Sequence, residues 1–376
     1  MKLYIIAGEA SGDLHGSNLI KALVQLQPEI KCRVWGGDLM QAAGGVLVRH
    51  YRDLAFMGFW EVLKNLRTIL QNLRFCQQDI LAFQPDAIVL IDYPGFNLRI
   101  AKWAKKQGIR VIYYISPQIW AWHTSRVHSI KRDVDKMLVI LPFEKAFYDK
   151  YGIQAEFVGH PLLDALVGRP DSLGINSPET GRINPEGIGT PHNIITLLPG
   201  SRKQEVKRIL PVMLSVTPDF PEYRFIIARA TSLPESFYRP FLEQYPNVGL
   251  EQGKTYELLA QSDAALVKSG TSTLETALIG TPQVVCYAGN PVSFAIAKRV
   301  VKVPFISLVN LILNRSLVRE LIQDDLNRTK LKEALTEILA PEQAAEIREG
   351  YSELRRLLGD GGASLRAAAA IMSFEF

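Results

Sequence analysis

Apolar residues are continuous from Leu3 to Ala7, and from Asn18 to Leu26 they recur at helical spacing. The first pattern predicts a buried strand and the second an amphipathic helix. The stretch between them, Gly8-Glu9-Ala10-Ser11-Gly12-Asp13-Leu14-His15-Gly16, reads as a glycine-rich loop. Similar short apolar runs at Cys32–Trp35, Ala87–Ile91, Arg110–Ile115, Lys136–Leu141 and Glu156–Gly159 alternate with helical patterns. Such alternation predicts βαβ units and a parallel sheet. Residues 168–192 are rich in Pro, Gly, Ser and Asn and carry almost no apolar periodicity, which predicts a linker or long loop. The alternation then restarts, with strands expected at Asn193–Leu198, Tyr223–Ile227, Ala264–Lys268 and Gln283–Tyr287. From about Leu317 the pattern is helical to the end. The predicted fold is therefore α/β, with two Rossmann-like doubly wound domains facing a cleft, spanning 1–167 and 193–345. Helices over 346–376 are expected to return to the first domain.

Length and composition agree with this division. At 376 residues one ordinary core is exceeded, and 47% hydrophobic with 22% charged residues is a globular composition. No apolar run reaches the ~18 residues of a spanning helix. The start lacks a charged-then-apolar leader, so a cytoplasmic location is expected. Cys32, Cys76 and Cys286 match no metal spacing and are expected to be buried thiols. A net charge of +5 suits an anionic substrate or membrane surface. Without a dense basic block or an aromatic-basic module, it predicts no nucleic-acid partner.

The first glycine loop has neither P-loop nor dinucleotide spacing. Ala7-Gly8-Glu9-Ala10-Ser11-Gly12-Asp13 instead resembles the amino-terminal signature of the lipid-A-disaccharide synthases. Four further blocks resemble that family, in its order: Ile91-Asp92-Tyr93-Pro94-Gly95-Phe96-Asn97, Ser116-Pro117-Gln118-Ile119-Trp120-Ala121-Trp122, Leu198-Pro199-Gly200-Ser201-Arg202 and Lys268-Ser269-Gly270-Thr271-Ser272-Thr273-Leu274-Glu275. Residues 168–192 depart from the family, which carries a more helical segment there. The resemblance implies a bacterial glycosyltransferase of the two-domain (GT-B) type. It would join UDP-2,3-diacylglucosamine to 2,3-diacylglucosamine 1-phosphate, releasing UDP and forming a β-1,6 linkage.

A UDP-sugar needs backbone N–H groups at a helix start, together with a cation, for its diphosphate. Ser269, Gly270, Thr271, Ser272 and Thr273 follow a predicted strand and lead into a helix expected near Thr273. Ser201 and Arg202 lie at the end of the second domain's first strand, where Arg202 can fork a diphosphate. The resemblance implies that Glu275 holds the ribose hydroxyls and that Asn310 lies near the site. It adds Gly8, Glu9, Ser11 and Gly12 as substrate-binding positions. An acidic, capped helix start and a surface arginine are the structural alternatives.

For the general base, Asp92 at the carboxyl end of the Ala87–Ile91 strand is preferred, with His15 and Asp13 as the other candidates. Asp92 could equally cap the helix near Gly95–Lys106. Asp133-Val134-Asp135 precedes its strand and reads as a solvated connection. No cofactor or metal is expected.

Phe56–Phe83 is the most amphipathic stretch, with Val62, Leu66, Ile69, Leu70, Leu73, Cys76 and Ile80 in a stripe and Lys64, Arg67 and Arg74 among them. A helix packed on a sheet gives such a stripe, and so does one lying on an anionic bilayer. Trp60, Leu66, Ile69 and Leu73 are assigned to the acyl chains and to the inner face of the inner membrane. A homodimer stays open. The rival functions are a UDP-sugar epimerase on the same fold and a non-catalytic lipid- or nucleotide-binding protein.

Overall fold

All described strands run parallel, in two sheets. A computed structural model describes residues 1–54, 66–122, 124–167, 193–290, 294, 301 and 303–374. The first sheet contains β1 (Lys2–Ala7), β2 (Lys31–Gly36), β3 (Val46–His50), β4 (Ala87–Ile91), β5 (Arg110–Tyr114), β6 (Lys136–Val139) and β7 (Ala155–Phe157). Its order is β3-β2-β1-β4-β5-β6-β7. The second contains β8 (Ile194–Leu198), β9 (Arg224–Arg229), β10 (Gly249–Gln252), β11 (Ala264–Lys268), β12 (Gln283–Tyr287) and β13 (Glu320–Ile322). Its order is β10-β9-β8-β11-β12-β13. In each sheet the order reverses beside the first strand, between β1 and β4 and between β8 and β11. Open α/β sheets bind ligands beyond the carboxyl ends of strands at such reversals.

Central strands are uniformly buried, as parallel sheets covered on both faces require. Every residue of β4 is buried, and so is Leu3–Ala7 in β1. That double burial explains why these strands are legible as continuous apolar runs. The strands absent from the sequence reading, β3, β10 and β13, are all edge strands. Most of their residues are half-exposed, which erases the apolar run. β13 also interrupts the helical pattern expected from Leu317 onward.

The chain separates into two units, Met1–Ala165 with Leu358–Phe376, and Leu166–Leu357. The helix Pro341–Leu358 lies in the second unit but for its last residue. The helix Ala363–Met372 packs against Ala10–Leu26 in the first. Its start is fastened by Asp164, whose carboxylate accepts the N–H groups of Gly362, Ala363 and Ser364 at 2.6, 3.1 and 2.7 Å. Three orphan amides of a helix terminus are thereby satisfied by one side chain. The proposed linker 168–192 lies outside the described residues, as do 55–65 with Trp60.

Leu66–Phe83 is helical. Leu73, Cys76 and Ile80 are buried in the first unit's core, and Ile69 packs against it. Assigning Ile69 and Leu73 to lipid is therefore corrected, since they cover the sheet. Leu70 and Leu81, on another face of this helix, are 48% and 51% exposed. Cys32, Cys76 and Cys286 are buried free thiols, as expected.

Candidate active site

The first glycine loop is shorter than expected, because the helix already begins at Ala10. Only Gly8 and Glu9 bridge β1 and this helix, and Ser11, Gly12, Asp13 and His15 lie within it. The glycines serve close packing. A Cβ on Gly8 would fall 2.3 Å from the Tyr93 ring, and one on Gly12 3.1 Å from the Ala7 Cβ. Close packing is therefore one demand that these two glycines meet. Ser11 is exposed at the helix start, and Glu9 is half-buried.

Asp13 is a structural residue. Its carboxylate, 3% exposed, accepts the N–H groups of Gly37, Leu39 and Met40 at 2.7, 3.2 and 3.0 Å. It thereby caps the short helix Asp38–Ala42. A base must reach a substrate proton, and these oxygens are turned to backbone instead. His15 is also buried, and burial pushes its pKa down to about 4. Asp92 is preferred over both as the candidate base on these grounds.

Asp92 has the opposite character. It follows β4 at the strand-order reversal, beside Gly8 and Glu9 at the end of β1. Its φ is +44°, that of Tyr93 is +48°, and that of Ile115 at the end of β5 is +63°. Left-handed backbone is uncommon for non-glycine residues and costly for a β-branched one. The surroundings enforce it. The Asp92 carbonyl accepts from the Tyr113 hydroxyl at 2.6 Å and from Asn97 Nδ2 at 2.8 Å. Strain retained in this way gathers at functional sites. Nor is Asp92 the cap of the helix Pro94–Lys106, because Tyr93 holds that position. Burial, and then the charge of Glu9, raise the Asp92 pKa to about 6. A carboxylate tuned in this direction is a stronger base while still ionised at neutral pH.

In the second unit, Ser201 and Arg202 follow β8 and are exposed, with the Arg202 side chain at 58%. Gly200 takes φ +108° to make the turn. Across the same reversal, Gly270 follows β11 and caps a helix that begins at Thr271, two residues earlier than expected. Thr271 is exposed and Ser272 half-buried. The Ser269 hydroxyl donates to the Ile306 carbonyl at 3.0 Å, and the buried Thr273 hydroxyl to the Gly270 carbonyl at 2.8 Å. Their side-chain protons thus shape the loop, and the N–H groups of Ser269 and Thr273 are likewise taken, by the carbonyls of Cys286 and Gly270 at 2.9 and 3.1 Å, so the N–H groups between them are the ones a ligand could use. Glu275 accepts from the Tyr256 hydroxyl at 2.9 Å, and burial raises its pKa.

Asn310 belongs to the scaffold. Nδ2 donates to Val318 O and Glu320 Oε1, and Oδ1 accepts from the N–H groups of Leu317 and Val318, all within 2.8–3.0 Å. An asparagine amide offers two donors and two lone pairs, and all four are used. Its amide is thus engaged in holding the segment from Leu317 to Glu320. Lys268, at the end of β11, is a residue the sequence reading passed over. It forms an ion pair with Glu205 at 2.9 Å. The positive charge just before a glycine-led helix start was the available signal.

Among the described residues no cluster of His, Cys, Asp and Glu can hold a metal. Asp133 is paired with Arg132 at 2.6 Å, and Asp135 accepts from the Val111 N–H at 2.9 Å.

The family model described as lipid-A-disaccharide synthetase matches residues 3–374. A lipid-A-disaccharide synthase of Syntrophus aciditrophicus is 41% identical over 97% of this chain and 95% of its own. One from Trichlorobacter lovleyi is 39% identical over 99% and 97%. Among solved structures, a UDP-GlcNAc 2-epimerase from Neisseria meningitidis bound to UDP-GlcNAc aligns with a TM-score of 0.65 at 15% identity, covering 100% of both chains. The glycotransferase of kitacinnamycin aligns with a TM-score of 0.64 at 16% identity, covering 99% of this chain and 98% of that one. Both likenesses concern the fold, which hosts more than one reaction.

Proposed function

The chain belongs to the lipid-A-disaccharide synthase family and is a glycosyltransferase of lipid A biosynthesis; on that premise we propose how its residues divide the reaction. The first unit takes the acylated acceptor, 2,3-diacylglucosamine 1-phosphate, and the second takes UDP-2,3-diacylglucosamine. Asp92 accepts the proton of the acceptor hydroxyl as that oxygen attacks the anomeric carbon. The bond from the anomeric carbon to the diphosphate oxygen breaks on the opposite side, inverting the configuration. Arg202 and the amides near Gly270–Thr273 hold the charge that develops on the departing UDP. Glu275 takes the ribose hydroxyls. No step calls for a metal, so turnover should persist in excess EDTA.

The observation that carries this reading is the position of Asp92 at the strand-order reversal of the first sheet, with strained backbone and a raised pKa. The test is mass spectrometry of products from both lipid substrates. A disaccharide 1-phosphate with UDP release that depends on the acceptor is the expected result. Epimerised UDP-sugar formed without an acceptor would select the epimerase instead.

We also infer peripheral attachment to the inner face of the inner membrane. Exposed Leu70 and Leu81, with the exposed Arg67 and Arg74 on the same helix, support it. No described helix is long and apolar enough to cross a membrane. A homodimer remains part of the reading to be decided by light scattering.

A further inference from the structure

Glu205 sits where two cations of the second unit converge. Its Oε1 lies 2.9 Å from Lys268 Nζ and 3.9 Å from Arg202 Nη1. Its Oε2 accepts the Arg202 N–H at 3.4 Å. The side chains of Glu205 and Lys268 are only 18% and 24% exposed, so water screens this pair incompletely. The loop is shaped around the carboxylate. Gly200 takes φ +108°, which favours glycine, and a Cβ there would lie 2.6 Å from Glu205 Oε2 and 3.1 Å from its Cβ, so the turn passes close beneath the carboxylate. Lys268 Nζ in turn stands 3.6 Å from the place a Cβ would take on Gly270. The ammonium therefore faces the same turn that presents the helix amides. A carboxylate held by a lysine and beside an arginine marks a place that selects an anion.

We propose that Lys268 is a second cation of the diphosphate site and that Glu205 is its built-in counter-anion, surrendering Lys268 to the diphosphate when UDP or UDP-sugar binds. This rests on the diphosphate reading of Arg202. Binding exchanges one ion pair for another, so part of the attraction to the ligand is spent on displacing Glu205. The same contact moderates retention of the UDP product. It also keeps Lys268 extended over the turn while the site is empty of ligand, so Glu205 is a positioning residue. Its second task, reaching back to the N–H at the start of the helix Lys203–Ser215, is one that glutamine also performs. Glu205→Gln therefore removes the charge and keeps the cap.

The experiment is calorimetric titration of the full chain with UDP at low and high salt, together with melting curves. Lys268→Met should weaken UDP binding by about tenfold, the worth of one charge-assisted contact. Glu205→Gln should tighten it by roughly threefold at low salt, with the gain fading as salt rises and the melting temperature unchanged. A purely structural Glu205 would shift the melting temperature and leave the salt dependence alone. Unchanged UDP affinity in Lys268→Met, or weaker binding in Glu205→Gln, overturns the proposal. Arg202→Ala serves as the reference. If it weakens UDP binding while Lys268→Met does not, only the present inference fails. If neither variant changes UDP affinity, the diphosphate reading fails with it.

Discussion

The Tyr113 hydroxyl donates to the carbonyl oxygen of Asp92 at 2.6 Å, joining the residue that follows β4 to the neighbouring strand β5. With Asn97 on the same oxygen, it holds the left-handed backbone that turns the Asp92 side chain off the strand. Tyr113 and Asn97 are fully buried, so Asp92, the proposed base, stands on a rigid support.

Asp92→Asn keeps the size and the tolerance for positive φ but removes the basicity. Turnover should fall by ~100- to 10,000-fold, with UDP binding near normal. Full turnover in this variant would transfer the role elsewhere.

The pH dependence follows from the direction of the Asp92 shift. Its pKa rises to about 6 in the fold, so the active, ionised form is lost below that point and the acid limb of the rate profile should fall there. For stability the sign is opposite to that of a salt-bridged carboxylate. The folded state favours the protonated form, so the destabilisation is absent below the unfolded pKa and accrues as pH rises to about 6. Asp92→Asn should therefore stabilise the protein at pH 7.5, by on the order of 1–3 kcal/mol, with no gain below pH 4. Chemical denaturation at both pH values measures this. A loss of stability at pH 7.5 contradicts it.

Asp13→Ala should act on folding. Three backbone N–H groups lose their acceptor, which costs roughly 2–4 kcal/mol when they remain buried. Activity per folded molecule should be retained at permissive temperature. A stable but inactive variant would restore Asp13 to the chemistry.

Asn310→Ala should likewise destabilise, by about 3 kcal/mol or more, because Leu317 N, Val318 N and the Val318 carbonyl are left without it. Denaturant midpoints read this directly. A variant of normal stability with a raised KM for the UDP-sugar would instead return Asn310 to the site.

The amphipathic helix separates core from surface. Leu73→Ala should cost ~2–5 kcal/mol as a buried leucine, with vesicle binding per folded molecule unchanged. The double change Leu70→Ser and Leu81→Ser should leave the melting temperature within a degree or two and reduce binding to anionic vesicles. Unchanged vesicle binding would remove this helix from the membrane proposal.

By itself, the sequence determined the alternation of central strands and helices, the two-sheet organisation and the loops on which the site is built. Strands such as β4 are buried on both faces, and double burial demands a continuous apolar run that a reader can see. Asp92 and Arg202 were legible as candidates for a related reason, since Asp92 directly follows such a run and Arg202 lies in the turn that follows another. Tertiary structure alone decided what neighbouring polar residues do. Asp13 and Asn310 have the composition of site residues, yet their oxygens and protons are taken by backbone groups 24–27 and 7–8 positions away. Ile69 and Leu70 are adjacent in the same stripe, and only packing against the sheet assigned one to the core and the other to the surface. The edge strands β3, β10 and β13 are defined by pairing with a neighbour rather than by burial. Hydrogen-bond partners distant along the chain and the choice of buried face are properties of the folded arrangement, and local sequence carries no record of them.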